Sequence, residues 1–245
     1  MTHKILVVDD EPSIAMLIEF NVRMAGYDVQ CAHDGEAVWD VIASFRPDLI
    51  VLDLMLPRMN GIEVCRKLRA QGNFVPIIIV SALQDLSDKI AGLDNGADDY
   101  MTKPFSPQEL ISRIQAILRR TTAIPGYVEE DVLTIGALAV HPHQREVTHH
   151  GQVIELTPKE FDLLLFMMKH PGKVLSRQHL LHGVWDYHFL GDTRIVDVHM
   201  SHLRDKIEVN ARNPEYIITV RNIGYKLCEP VVKNNAIGVS SRNPS

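Results

Sequence analysis

Two rhythms of apolar and polar residues run along this 245-residue chain. Up to residue 120, unbroken apolar runs such as Ile5-Leu6-Val7-Val8, Leu49-Ile50-Val51-Leu52 and Ile77-Ile78-Ile79-Val80 alternate with stretches in which apolar residues recur every three or four positions. An unbroken short run is the mark of a strand buried on both faces, and the three-to-four spacing is that of an amphipathic helix. The pattern predicts strands over 5–8, 28–31, 49–52, 77–80 and 99–101, with helices over 13–25, 35–44, 61–71, 87–95 and 107–120. Strand and helix in strict alternation, joined by right-handed crossovers, define an α/β doubly wound five-stranded parallel sheet.

The rhythm breaks at 121–131, where Pro125-Gly126 and Glu129-Glu130-Asp131 read as a linker. Short alternating stretches over 132–156 then predict a small antiparallel sheet. Thr157-Pro158-Lys159-Glu160 has the form of a helix start, with Thr157 as N-cap, Pro158 at the first position and Glu160 placed for a capping box. Its helix turns Phe161, Leu164, Leu165 and Met168 inward and stops near His170-Pro171-Gly172. Further helices are expected over 177–185 and 193–208, and a hairpin over 216–220 and 225–228 around Arg221-Asn222-Ile223-Gly224. The organisation is therefore a first domain over 1–120, a linker over 121–130 and an α+β domain over 131–230. Residues 231–245, rich in Asn and Ser, are expected to be a disordered tail.

Composition narrows the class. A hydrophobic content of 46% supports real cores, and no apolar run approaches the length of a membrane span. With no signal-peptide pattern and three cysteines lacking metal or redox spacing, the expectation is a cytoplasmic chain with reduced thiols. The net charge of −6 is unevenly spread: residues 1–121 carry 12 basic against 17 acidic side chains, the remainder 13 against 14, with ten of the 12 histidines. His141, His143, His149 and His150 lie in an expected hairpin without supporting carboxylates or thiols, so they read as surface histidines rather than a metal site.

Candidate chemistry gathers at strand ends. Asp53 closes one apolar run, and Asp9 and Asp10 close another. Carboxylates at the carboxyl edge of adjacent parallel strands crowd together and repel unless a cation neutralises them, and Mg²⁺ (or Mn²⁺) suits such a set. A carboxylate is also a competent nucleophile toward phosphorus. Ser81 ends a further strand as a hydroxyl donor, and Lys103 delivers an ammonium to the same rim.

At these residues the chain resembles a two-component response regulator of the OmpR/PhoB type, through ILVVDDE at 5–11, PDLIVLDLMLPRMNG at 47–61, IIIVSAL at 77–83 and GADDYMTKPF at 96–105. The resemblance implies a CheY-like receiver with Asp53 as phosphoacceptor and a cation on Asp10, Asp53 and the backbone carbonyl of Met55, Asp9 completing the acidic pocket. It implies that Ser81 and Lys103 contact the phosphoryl group, that Lys103-Pro104 is cis, and that Ser81 and Tyr100 form the switch, Tyr100 turning inward. It places a dimer face on the fourth helix, fifth strand and fifth helix, with Lys89 facing Glu109, Asp98 facing Arg113 and Asp99 facing Arg120 of a second copy. Ser81 stands where many relatives carry Thr.

The second half resembles the winged-helix DNA-binding domain of the same family, through LTPKEFDLLLFMMKHPGKVLSR, TRIVDVHMSHLRDKIE and ITVRNIGYKL. Arg194, His199, Ser201, His202, Arg204 and Lys206 are then the polar candidates on a recognition helix in the major groove, with Asp197 and Val198 nearer the packed side. Thr219 and Arg221 fall on the wing, and Trp185 either packs or reaches a phosphate. Across 171–226 eight basic residues face six acidic ones, so a monomer holds DNA weakly and dimerisation matters more. The implied partners are a sensor histidine kinase, promoter half-sites in direct repeat, RNA polymerase and a second copy on phosphorylation, without a membrane. The protein would assist its own phosphotransfer and autodephosphorylation without being a metabolic enzyme. An aspartate-based phosphatase would want a second acid where Met55 stands, and a phosphorylation-independent regulator would not keep the Asp9, Asp10, Asp53, Ser81 and Lys103 set.

Overall fold

A computed structural model describes residues 2–83, 85–121, 132–185 and 193–230. Of the expected linker over 121–130, Thr121 ends the last receiver helix and the rest lies outside the described residues, as does the expected tail over 231–245. In the first half five strands, β1 (Lys4–Val8), β2 (Asp28–Ala32), β3 (Leu49–Leu52), β4 (Ile77–Ser81) and β5 (Asp99–Thr102), alternate with helices α1 (Pro12–Met24), α2 (Val38–Phe45), α3 (Gly61–Ala70), α4 (Leu86–Asp94) and α5 (Pro107–Thr121). The strands are parallel in the order β2-β1-β3-β4-β5. Strands β1, β3 and β4 are buried almost throughout because helices cover both faces, which is why their sequences are unbroken apolar runs.

The second half opens with an antiparallel sheet, β6 (Leu133–Ile135), β7 (Leu138–His141), β8 (Glu146–His149) and β9 (Gln152–Ile154). Helix α6 (Pro158–Met168) follows, and its predicted capping box is complete: Thr157 accepts from the Glu160 backbone N–H while Glu160 accepts from that of Thr157. Helix α6 buries Phe161, Leu164 and Met168 as expected, with Leu163 and Met167; Leu165 is only half-buried. Helices α7 (Arg177–Trp185) and α8 (Arg194–Ile207) pack against it, and β11 (Ile217–Val220) and β12 (Gly224–Leu227) form the hairpin. Strand β10 (Val174–Ser176), not expected from the sequence, joins β12 antiparallel. The fold is a receiver followed by a winged helix.

The two faces of the receiver sheet differ. On one, Ile5, Val7, Val51, Ile78 and Val80 pack with residues of α1 and α5 in a closed cluster. On the other, the apolar cluster runs from Leu6, Ile50 and Ile79 through Leu93 and Tyr100 into Trp185, Met200 and the winged-helix core. The second cluster places α8 against α4 and α6 near α5.

Candidate functional site

Strands β1 and β3 pair with Val8 opposite Leu52, so the residues that follow, Asp9 and Asp53, stand side by side at the carboxyl edge. The Asp53 N–H donates to the carbonyl of Val8 at 2.9 Å, fixing that register. Asp9, Asp10 and Asp53 each offer a carboxylate oxygen within 4.8 Å of the others, an arrangement that could hold a metal ion. Asp9 and Asp53 are buried, and Asp10 is exposed. Helix α3 begins against this corner, where a Cβ at Gly61 would collide with the Asp53 carbonyl, so only glycine fits there.

The Lys103 ammonium lies 2.6 Å from Asp53 Oδ2, 2.8 Å from Asp9 Oδ2 and 3.4 Å from Glu11 Oε1. Its backbone N–H donates to the Ser81 carbonyl at 2.8 Å, and the bond to Pro104 is cis. Burial alone would lower the Lys103 pKa, but hydrogen bonds to Asp53 and Asp9 outweigh it and hold the ammonium well above its ordinary range. Asp9 is shifted upward by burial, against the pull of Lys103. Asp53 Oδ1 accepts from the Met55 N–H at 3.1 Å, which puts the Met55 backbone beside the carboxylate while its side chain is exposed. Ser81 is wholly buried, and its Oγ has no hydrogen-bond partner among the described residues. Two residues on, the Leu83 carbonyl accepts from the Tyr100 hydroxyl at 2.8 Å. The Tyr100 ring points inward, with 7% of the residue exposed. The sequence also missed Glu11 as a third acid near Lys103.

Within the chain, Asp98, Asp99, Glu109 and Arg113 of the expected dimer face have partners of their own. Arg113 contacts Asp99 Oδ2 at 2.8 Å and Glu109 Oε1 at 2.6 Å. Asp98 is fully buried: Oδ2 accepts from the Ile77 N–H at 2.9 Å and lies 3.3 Å from Arg69, while Oδ1 accepts from the Lys159 N–H at 3.3 Å. The Trp185 indole N–H donates to the Asp98 carbonyl at 3.4 Å, so Trp185 packs rather than lying free for a phosphate. Burial pushes the Asp98 carboxyl up to about 6, with Arg69 the strongest opposing influence. Lys89 is half-buried, and the side chain of Arg120 lies outside the described residues.

The recognition-helix candidates divide by face. Arg194 and Ser201 are exposed on α8, as are Thr219 and Arg221 on the wing. His199, His202 and Lys206, at helical spacings of three and four, face the other way. His199 is buried against the Trp185 ring, and both its ring nitrogens lack hydrogen-bond partners among the described residues. His202 approaches Asp94 of α4 at 3.5 Å. Lys206 pairs with Glu160 at 2.6 Å and lies over the ring of Phe74 in the receiver. Arg204 donates to the Ile217 carbonyl and to Thr219 Oγ1, tying α8 to the wing. Asp197 accepts from Arg177 at 2.7 Å and from the Tyr225 hydroxyl at 2.6 Å, on the packed side as expected.

Residues 5–115 match the response regulator receiver domain, and 151–227 match the C-terminal domain of transcriptional regulatory proteins. The chain is 52% identical over 236 residues to the alkaline phosphatase synthesis transcriptional regulatory protein PhoP of Bacillus subtilis, covering 94% of this chain and 98% of that protein. Among solved structures it is similar to a mutant of RitR, at 29% identity and a TM-score of 0.71, over 93% of this chain and 99% of that one. DrrB, a Thermotoga maritima OmpR/PhoB homologue, is 31% identical over 93% of this chain and 100% of that one, with a TM-score of 0.50. A receiver with an acidic pocket, joined to a winged helix, defines a DNA-binding response regulator of a two-component system. The chain belongs to the OmpR/PhoB family of these regulators. Its role is regulatory rather than metabolic, and among the described residues no helix is long and apolar enough to cross a membrane.

Proposed function

We propose that Asp53 accepts a phosphoryl group from the phosphohistidine of a sensor kinase and that this modification controls DNA binding. The observation that carries the reading is the Lys103 ammonium held between Asp53 and Asp9 at 2.6 and 2.8 Å, beside a third carboxylate. An Asp53 carboxylate oxygen attacks phosphorus, the P–N bond to the kinase imidazole breaks, and the imidazole nitrogen keeps the bonding pair and takes a proton. A Mg²⁺ or Mn²⁺ ion bound by Asp10, Asp53 and the Met55 carbonyl, with Asp9 alongside, would neutralise the charge that builds on the phosphoryl oxygens. Lys103 follows the new charge by moving its hydrogen bond from the carboxylate to a phosphoryl oxygen. The buried hydroxyl of Ser81 gains an acceptor it lacks. Lys103 also assists the reverse loss of the group to water, so the protein sets its own signal lifetime without being a metabolic enzyme.

The modified receiver then dimerises through α4, β5 and α5. Lys89 with Glu109, Asp98 with Arg113 and Asp99 with Arg120 are the proposed cross-subunit pairs; Arg113 would exchange its present partners for those of a second copy. Asp98 and Asp99 are buried within the chain, so their pairs form only where those side chains are uncovered; ion pairs at an exposed rim each contribute under ~1 kcal/mol and set geometry more than affinity. Arg194, Ser201, His199, His202, Arg204 and Lys206 on α8, with Thr219 and Arg221 on the wing, are the proposed DNA-contacting residues at direct-repeat half-sites, in the cytoplasm and with RNA polymerase as a further partner. The test is acetyl phosphate with Mg²⁺: a labile mass gain on the wild type that Asp53→Asn abolishes supports the reading, and an equal gain in the variant overturns it.

A further inference from the structure

A cavity of about 320 Å³ opens between the receiver and the winged helix, and it shares no residue with the acidic pocket. Arg66 of α3, Phe74 in the loop after α3 and Asp94 at the end of α4 line it from the receiver side. From the winged helix, α8 presents His202, Asp205 and Lys206. Sites for small molecules are concave, lined mostly by carbon, furnished with a few converging polar groups and frequent where domains meet. This cavity has those properties, and its volume is at the lower end for such sites.

The charges around it divide into those already satisfied and those that are not. Arg69, also on its wall, donates to the Gly96 and Val75 carbonyls and contacts Asp98. Lys206 pairs with Glu160, and Asp94 faces His202, a partner that is charged only when protonated. Arg66 and Asp205 are exposed, and among the described residues neither side chain forms a hydrogen bond or ion pair. One wall thus offers an unpaired guanidinium and the other an unpaired carboxylate, with Asp94 as a second acid. A simple anion would meet repulsion from Asp94 and Asp205, and a simple cation would meet it from Arg66 and Lys206. A ligand carrying both charges on an apolar body avoids each penalty. A guanidinium takes a carboxylate through two parallel hydrogen bonds, and the Phe74 ring supplies an aromatic surface for the body. We propose that this cavity binds a small zwitterion of the hydrophobic amino-acid class, its carboxylate on Arg66, its ammonium on Asp205 and Asp94, and its body against Phe74. Since each half of the chain supplies one charged contact, the ligand favours this arrangement of the halves by mass action. The site does not rest on the phosphoacceptor reading.

Three probes that share a phenyl body and differ in charge test the assignment: L-phenylalanine, phenylacetate and phenethylamine. Each is titrated into ¹⁵N-labelled full-length protein without acetyl phosphate, and amide shifts are followed by NMR. Phenylalanine should give saturable shifts at Phe74, Gly96 and Asp205 with a Kd on the order of 1 mM, the affinity open to a ligand of about twelve non-hydrogen atoms. Phenylacetate and phenethylamine should each bind ~10-fold more weakly, because each forfeits one charged contact. Arg66→Ala should weaken phenylalanine ~10-fold and leave phenethylamine unchanged, whereas Asp205→Ala should weaken phenylalanine and leave phenylacetate unchanged. Both positions are exposed and without side-chain partners among the described residues, so the variants keep the fold. Absence of saturable shifts by ~20 mM phenylalanine, a concentration well above the expected Kd, would overturn the site. So would shifts confined to other residues, or an affinity that neither variant changes. Phenylacetate or phenethylamine binding as tightly as phenylalanine would overturn the zwitterion assignment.

Discussion

Asp53 and Asp98 are both buried carboxylates at the edges of one parallel sheet, each with a lysine at hand, and the contrast between them explains how the molecule divides its work. Asp53 lies at the carboxyl edge, held by a side-chain ammonium at 2.6 Å and one backbone N–H. An ammonium on a flexible stem can follow charge as it moves to a phosphoryl group. Asp98 lies at the amino edge, held by the backbone amides of Ile77 and Lys159 with Arg69 alongside. Backbone donors cannot follow, so Asp98 is fixed in place while the interface stands. A mobile partner suits the phosphoryl chemistry proposed for Asp53, and rigid partners make a structural joint of Asp98.

Substitutions that exchange these properties should break the comparison, the largest effect coming first. Asp53→Asn should abolish the labile mass gain with acetyl phosphate. Lys103→Met should leave the nucleophile in place and slow modification ~100-fold, the scale of losing one preorganised electrostatic partner; time courses of mass addition would show it, and an unchanged rate would remove Lys103 from the chemistry. Asp98→Ala should cost about 3 kcal/mol in denaturant unfolding, because it leaves the backbone amides of Ile77 and Lys159 without their acceptor. Thr157→Ala should cost only ~1 kcal/mol by the same measurement, since it removes half of the α6 capping box.

The smallest effect is on pH. Burial, with His202, Lys159 and Lys206 nearby, pushes the His199 imidazole down to about 3, whereas an unfolded His199 titrates near ~6.5. A depressed pKa means that stability is unimpaired above the unfolded value and is lost as pH falls from ~6.5 toward 3. Asp98, pushed up to about 6, takes up a proton in the folded state and works the other way below that pH. The difference leaves about a threefold rise in the ratio of unfolded to folded molecules between pH 7.5 and 5.5, measurable in denaturant unfolding. A His199→Phe protein that keeps the full pH response would assign it elsewhere.

The receiver fold and its acidic pocket were legible in the sequence because local signals carried them. Unbroken apolar runs marked β1, β3 and β4, and a carboxylate ending such a run has few roles other than chemistry. The capping box at Thr157 and the hairpin around Asn222 were legible for the same reason. Strand β10 was not, because three residues, Val174–Ser176, are too few to show a period and become a strand only by pairing with β12. The contacts around Asp98 were hidden more deeply. Asp98, Lys159 and His199 are polar residues that a sequence assigns to solvated surfaces, yet their partners lie far along the chain, with Trp185 87 residues from Asp98. His199, expected among the polar candidates of α8, is covered here for that reason: the Trp185 ring packs on it, and nothing local announces that partner.

Hydrogen exchange on the full-length protein, sampled while acetyl phosphate modifies Asp53, sets the two carboxylates side by side in one measurement. The Met55 amide, which donates to Asp53, should change its exchange in step with the mass gain on Asp53, while the Ile77 amide, which donates to Asp98, keeps its protection. Complete modification of Asp53 with the Met55 amide exchanging as before, or with Ile77 losing its protection, would contradict it.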